Sequence, residues 1–266
     1  MVACGVVRFR CLLVTTLACA GCVPEDRPKA HGSSSAAPSA LLAAPSRPRF
    51  ELATERPAPD GGHAPPAGAL ITAHYSDNFE RPSLGPDWYA TGGGWTLREG
   101  RLCVANAHNH PLWLLRRLPV NARIEFEATS SSPEGDLKVE AWGDGLSAAT
   151  GISYTNATSY VIIFGGWKNT LHVLARLDEH AADRTFLRVE PGETDPRAQP
   201  VLPDRAYRFK IERSDGQTVR YFVDDIEILS LKDKAPLVGD GHEHFAFNDW
   251  EVPVCFDNLN ITPLKS

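Results

Sequence analysis

The chain has 266 residues, with 27 Lys and Arg against 33 Asp and Glu, a net charge of −6, and 42% hydrophobic residues. That length is enough for a full hydrophobic core. The acidic balance argues against nucleic acid or anionic lipid surfaces as ligands of the folded part.

Arg8 and Arg10 are followed by an apolar run, Cys11 to Ala20, that ends in Leu17-Ala18-Cys19-Ala20-Gly21-Cys22. The run is about ten residues, well short of the roughly 20 that a helix needs to cross a bilayer. The pattern resembles a bacterial lipoprotein signal peptide, which implies cleavage after residues 1–21 and acylation of Cys22. An ordinary secretory signal cut nearby is the alternative, because Cys19 occupies a position that is usually aliphatic in lipoproteins. The partner implied is a lipid bilayer, reached through acylated Cys22. Localisation to the bacterial cell envelope follows, and Val23 gives no inner-membrane retention signal, which favours the outer membrane.

Residues 22–70 form a second segment. Nine of the 21 prolines lie here, and Phe50 is its only aromatic residue. So little apolar surface cannot offset the entropy of ordering, and a disordered tether is expected. Five basic residues balance five acidic ones in it. A flexible chain of this length spans about 40 Å between its ends.

All six tryptophans follow residue 70, which marks 71–266 as one globular domain with 20 basic and 28 acidic residues. No helical stripe of useful length occurs in it. Short alternating or β-branched runs predict strands at Arg101–Ala105, Leu112–Leu118, Arg123–Ala128, Leu137–Trp142, Gly151–Tyr154 and Tyr160–Phe164. They continue at Leu171–Leu177, Ala206–Glu212, Val219–Val223, Ile226–Leu231, His244–Phe247 and Val252–Ile261. Turn chemistry such as Ser214-Asp215-Gly216 separates them, and the Pro- and Gly-rich stretch Glu190–Pro203 is a surface loop. The fold class expected is all-β, with two stacked antiparallel sheets behind the signal peptide and the linker.

The opening Asp77-Asn78-Phe79-Glu80-Arg81-Pro82 through Trp88, then Trp95 to Leu102, resembles concanavalin A-like jelly rolls. The hairpin Val219-Arg220-Tyr221-Phe222-Val223-Asp224-Asp225-Ile226 is similar to the strand, Val-Asp-Gly, strand unit of laminin G-like and glucanase-like domains, with Asp225 in the glycine position. The closing Phe256-Asp257-Asn258-Leu259-Asn260-Ile261 resembles the last strand of that group. The resemblance implies a jelly-roll sandwich. Lectins, binding modules, glycoside hydrolases and lyases share it, so it does not choose a function.

A glycosidase of this kind carries Glu-x-Asp-x-Glu on one strand face. The nearest stretch here runs from Glu134 to Glu140; its last carboxylate is two residues too far, and Pro133-Glu134-Gly135-Asp136 looks like a turn. Glu125 and Glu127 alternate with Ile124 and Phe126, as on an exposed sheet face. No catalytic residue is assigned.

Sugar binding needs an aromatic plate with hydrogen-bonding groups beside it. The candidates are Glu140, Trp142, Tyr154, Asn156, Tyr160, Trp167, Asn169, His172 and Arg176, expected to share one open face. Asp249 and Glu251 beside Trp250 could line the same mouth. Asp77 and Asp257, from the first and last elements, are candidate ligands of a structural calcium ion, the one cofactor considered. Cys103 and Cys255 are the two domain cysteines, and in an oxidising compartment they can form a disulfide; two free thiols are the alternative. The function expected is binding of glycan or another envelope polymer. A glycan-acting hydrolase or lyase and a structural or protein-interaction module are the rivals.

Overall fold

The computed structural model of the chain describes residues 68–265. The signal peptide at 1–21, the lipidation site Cys22 and the tether as far as residue 67 lie outside the described residues.

Among the described residues the chain forms β1 (Tyr75–Asp77), β2 (Trp88–Ala90), β3 (Thr96–Arg98), β4 (Arg101–Val104), β5 (Leu112–Leu114), β6 (Ala122–Ser130), β7 (Leu137–Gly143) and β8 (Tyr160–Gly165). It continues with β9 (Leu171–Arg176), β10 (Thr185–Arg188), β11 (Ala206–Arg213), β12 (Thr218–Val223), β13 (Ile226–Lys232), β14 (His244–Asn248) and β15 (Val254–Pro263). One sheet has eight strands in the order β13-β12-β11-β6-β15-β4-β3, with β1 also pairing β15; the other has seven, in the order β10-β9-β8-β7-β14-β5-β2. Every strand pairing is antiparallel. The expected two-sheet jelly-roll sandwich is what forms.

Period-two alternation drives the stacking. In β6, Ala122, Ile124, Phe126 and Ala128 are buried while the residues between them are partly exposed. Phe126 stacks on Phe209 with centroids 4.9 Å apart and meets Phe247 edge-on at 5.5 Å, so it joins three strands from both sheets. Full burial of such a ring contributes about 1.5–3 kcal/mol. The β12–β13 hairpin turns on Asp224 and Asp225, with φ of 50° and 67°. Two left-handed residues give the tight turn whose twist suits a hairpin, and aspartate tolerates it better than most residues.

Cys103 and Cys255 lie opposite each other on β4 and β15 and form a disulfide. The two calcium candidates, Asp77 and Asp257, differ in their surroundings. Asp77 accepts the Phe79 N–H at 2.9 Å and the Trp88 indole N–H at 2.8 Å, and it pairs with Arg81. Burial works against its charge, yet these donors hold its carboxyl below the usual range. Its oxygens are thereby committed, whereas Asp257 accepts the N–H of its neighbour Asn258.

One correction concerns Gly151–Tyr154. Alternation predicts a strand, but residues 144–159 form a loop folded over the outer face of the seven-stranded sheet. Tyr154 and Ala157 pack on Val161, Ile163, Val173 and Ala175 there, away from the inter-sheet core. The loop is pinned by Glu140, whose carboxyl group receives Tyr154 Oη at 2.8 Å, Ser159 Oγ at 2.5 Å and Asn248 Nδ2 at 2.8 Å. Both faces of this sheet are therefore buried where the loop lies.

Two outcomes follow. The disulfide closes a separation of 152 residues, so reduction, or the double substitution Cys103→Ala and Cys255→Ala, should lower stability by roughly 3–5 kcal/mol; urea unfolding of both forms measures it. Burial pushes Glu140 up to about 7 against its three hydrogen-bond donors. Between its unfolded value and that one, the unfolded chain binds fewer protons, so this group costs stability as pH rises through the window at about 1.4 kcal/mol per unit. Comparison of unfolding at pH 5 and pH 7 should show a shallower fall in Glu140→Gln than in the wild type.

Candidate functional site

At one end of the outer face of the seven-stranded sheet, beside the covering loop, lies a cleft of about 310 Å³. Its floor comes from the entry of β7, where Asp136, left-handed at φ 63° just before the strand, and Lys138 within it both line the cleft. Its walls carry Trp167, Trp250 and Glu251, with Ile152 and Ser153 from the covering loop and Glu134, Ile163, Lys168, Glu179, His180 and Val252 completing the lining. Ile152 is 84% exposed. It is an apolar rim residue with no packing reason to point outward.

The turn between β8 and β9 positions Trp167. Gly165, Trp167, Lys168 and Asn169 all have positive φ, between 50° and 79°. A side chain on Gly135 would come within 2.5 Å of the Gly165 carbonyl, so the two turns close on each other only through glycine, and Asp136 N–H bonds that carbonyl at 2.9 Å. Asn169 locks the turn from its side. Its Nδ2 donates to Pro133 O at 3.0 Å and Val201 O at 2.8 Å, and its Oδ1 accepts Val201 N–H at 2.9 Å. His172 Nδ1 accepts the Gly165 N–H at 2.9 Å, which leaves its proton on Nε2, 3.1 Å from Gln199 O. Burial pushes His172 down to about 4, so it stays neutral.

Carboxylates outnumber cations at the floor. Lys138 Nζ donates to Glu179 at 2.9 Å and to Asn109 Oδ1 at 2.8 Å. Burial opposes its charge, but Asp136 and Glu179 hold it above the usual lysine value. Asp136 is raised by burial in spite of Lys138. Behind it Asp249 accepts Ala107 N–H at 3.0 Å through Oδ2, while its Oδ1 and Asn109 Nδ2 are buried without a protein partner. Burial pushes Asp249 up to about 8.

The nine residues expected to share an open face are not brought together. Trp167 alone of them lines the cleft. Glu140 is fully buried under the covering loop, Tyr154 is fully buried on the loop's inner side, and Asn156 ties that loop to itself through Ala148 O and Thr150. Trp142 was placed beside Glu140 by parity, but it is the extra residue of a β-bulge against β14, with φ 57°. The bulge flips it into the inter-sheet core, where it meets Tyr160 edge-on at 6.2 Å. Tyr160 bonds Asp233 at 2.7 Å, and Arg176 bonds the same carboxylate at 2.8 Å and Ala235 O at 3.0 Å. His172 and Arg176 do share a face, as alternation requires, but it is the face toward the other sheet.

Asp136, Lys138 and Trp250 carry more of the cleft than those residues do. The alternation Asp136-x-Lys138-x-Glu140 was available as a signal. It was masked by the turn chemistry of Pro133-Glu134-Gly135, which does shape the chain there.

No protein-family model and no curated protein matches this sequence. Solved structures match its fold. A prokaryotic β-1,3-1,4-glucanase (lichenase) derived from a mouse hindgut metagenome aligns with a TM-score of 0.50 at 10% identity, over 72% of this chain and 100% of that one. The carbohydrate-binding module CBM66 from Bacillus subtilis gives 0.47 at 13% identity, over 66% and 95%. A protein of unknown function with a galectin-like fold from Bacillus subtilis gives 0.46 at 14%, over 71% and 94%. At 10% identity the likeness to the glucanase bears on the fold alone.

Proposed function

We propose that the domain binds glycan in the cleft flanked by Trp167 and Trp250, and that acylated Cys22 tethers it to the membrane of a bacterial envelope through the segment 22–70. The observation that carries the binding site is the meeting of two part-exposed tryptophans, from separate loops, over charged and hydrogen-bonding groups on a strand end. Indole faces take the apolar side of a sugar ring, and the carboxylates and Lys138 offer partners for its hydroxyls. The size suits a short stretch of sugar units, at the lower end of small-ligand clefts. A β-1,3-1,4-glucanase uses the same fold, which is compatible with a glycan ligand without selecting one.

Binding is favoured over hydrolysis by the state of the carboxylates. A glycosidase presents two of them to the sugar, one on each side of the scissile bond. Glu140, the second acid on the outer face of β7, is fully buried and occupied by three donors. Glu179 is engaged by Lys138 and lies 3.3 Å from His180.

In a glycan array followed by calorimetry on the solubilised full chain, Trp167→Ala and Trp250→Ala should each weaken binding at least about tenfold, or about 1.4 kcal/mol. Phe222→Ala, on the other sheet, is the control and should not change it. Retention of full affinity by both tryptophan variants would remove the cleft from the argument. For the tether, Cys22→Ser should move the chain from the membrane fraction to the soluble one; unchanged partitioning would refute the anchor.

A further inference from the structure

The cleft combines aromatic walls with an excess of negative charge over a partly enclosed floor. Four carboxylates line it, from Glu134, Asp136, Glu179 and Glu251, against the ammonium groups of Lys138 and Lys168. Lys138 is only 3% exposed and is consumed internally by Glu179 and Asn109. Lys168 lies at the rim, 80% exposed and 3.8 Å from Glu134. Asp136 shares that one ammonium with Glu179 and accepts the Trp250 N–H, and Glu251, 55% exposed, has the His108 ring at 3.7 Å. Arg184 stands over Trp167 at 5.4 Å but does not line the cleft.

The cluster continues behind the floor. Asp136, Asp249 and Glu179 share the field of the single cation Lys138. Asp249 Oδ1 and Asn109 Nδ2 are buried there without a protein partner. Both aspartates are raised, first by burial and then by neighbouring carboxylates, with Lys138 acting against the rise. Asp249, pushed up to about 8 mainly by burial, keeps its proton at neutral pH, so the excess of acidic groups is the one that lines the cleft itself. A cation bound between carboxylates and indole faces gains from both, because the aromatic quadrupole attracts it and the enclosed walls limit screening.

We infer that the cleft selects a positively charged amino sugar, a hexosamine unit bearing a free ammonium group, over neutral sugars and uronates. This rests on the proposed glycan-binding reading and narrows it. The apolar ring face lies against the indoles, and the ammonium group lies near Asp136 and Glu251, adding to the one ammonium, Lys138, that Asp136 and Glu179 share. A uronate meets like charge at the same place.

The test is calorimetry on the solubilised full chain with three tetramers of equal length: β-1,4-linked glucosamine, its fully N-acetylated form and an oligouronate. The glucosamine tetramer should bind at least about tenfold more tightly than the acetylated one, with the preference falling as salt rises. Glu251→Gln, an exposed change that keeps a carbonyl for a sugar hydroxyl, should weaken the glucosamine tetramer about threefold to tenfold and the acetylated one by less than about twofold. Equal binding of the two, lost together in Trp167→Ala, would overturn the charge selection and leave the glycan reading standing. Preference for the oligouronate would overturn it as well. Failure of all three tetramers together with an empty glycan array would sink both.

Discussion

The buried carboxyl group of Glu140 is the constraint on which the functional face depends. A lone carboxylate in an apolar interior is costly, and it is tolerated when donors surround it or when it takes up a proton. Here Tyr154, Ser159 and Asn248 supply three donors, two of them from the loop at 144–159. The same hydrogen bonds that satisfy Glu140 hold the loop down. Once the loop is down, Val161, Ile163, Val173 and Ala175 acquire a second core on the outer face, and the middle of the sheet is closed to any ligand. An open part of that face lies beyond the loop, at the start of β7, where Asp136 and Lys138 line the cleft.

This double burial also explains which parts of the molecule were legible in the sequence. Strands with one solvated face announced themselves by alternation: β6, β11 and β12 are placed within a residue or two, and the turn at Asp224-Asp225 follows from the resemblance to the strand, Val-Asp-Gly, strand unit. The pairing of Cys103 with Cys255 was foreseeable as a possibility from the even count. In β7, β8 and β9 the rule loses its meaning, because alternation separates two faces without saying which is outside. With both faces covered, Val173 and Ala175 look like the core side of β9, and His172 and Arg176 look like the exposed side. The reverse holds. Short strands such as β1, β2 and β3 have three residues each, too few for a period to register.

Trp142 shows a different kind of failure. Its face was deduced by counting along the strand, and counting is valid only while the pleat is regular. One left-handed residue at the bulge shifts the register by one and turns an apparent surface tryptophan inward. There it lies under Arg213, whose guanidinium stands 4.0 Å over the ring and donates to Val120 O at 2.6 Å and Leu237 O at 2.8 Å. Burial lowers Arg213 to about 10, still far above neutrality, so it remains a cation inside the sandwich. Hydrophobic pattern analysis has no place for a fully buried arginine. The partners that make it possible are carbonyls from loops distant in sequence.

The cleft could not have been read from any one segment, because its parts obey different local rules. Its floor is the entry of a strand, where turn chemistry and alternation overlap at Asp136. Its aromatic wall at Trp167 stands on a run of left-handed residues, a conformation that non-glycine residues rarely adopt and that costs of order 1 kcal/mol each. That cost is carried by surroundings that over-determine the turn: the Asn169 side chain bonded to two loops, the His172 ring accepting Gly165 N–H, and the close approach of Gly135. None of these groups reaches the cleft, yet three of its features depend on them: the height of the indole, the position of the Asp136 backbone, and the gap between them. Asn169 and His172 look like ligand-binding residues in the sequence because polar side chains beside an aromatic residue usually suggest contact with a ligand. Their donors and acceptors are all used by the protein, which makes the wall rigid, and a rigid wall loses little entropy when a flat sugar ring is laid against it.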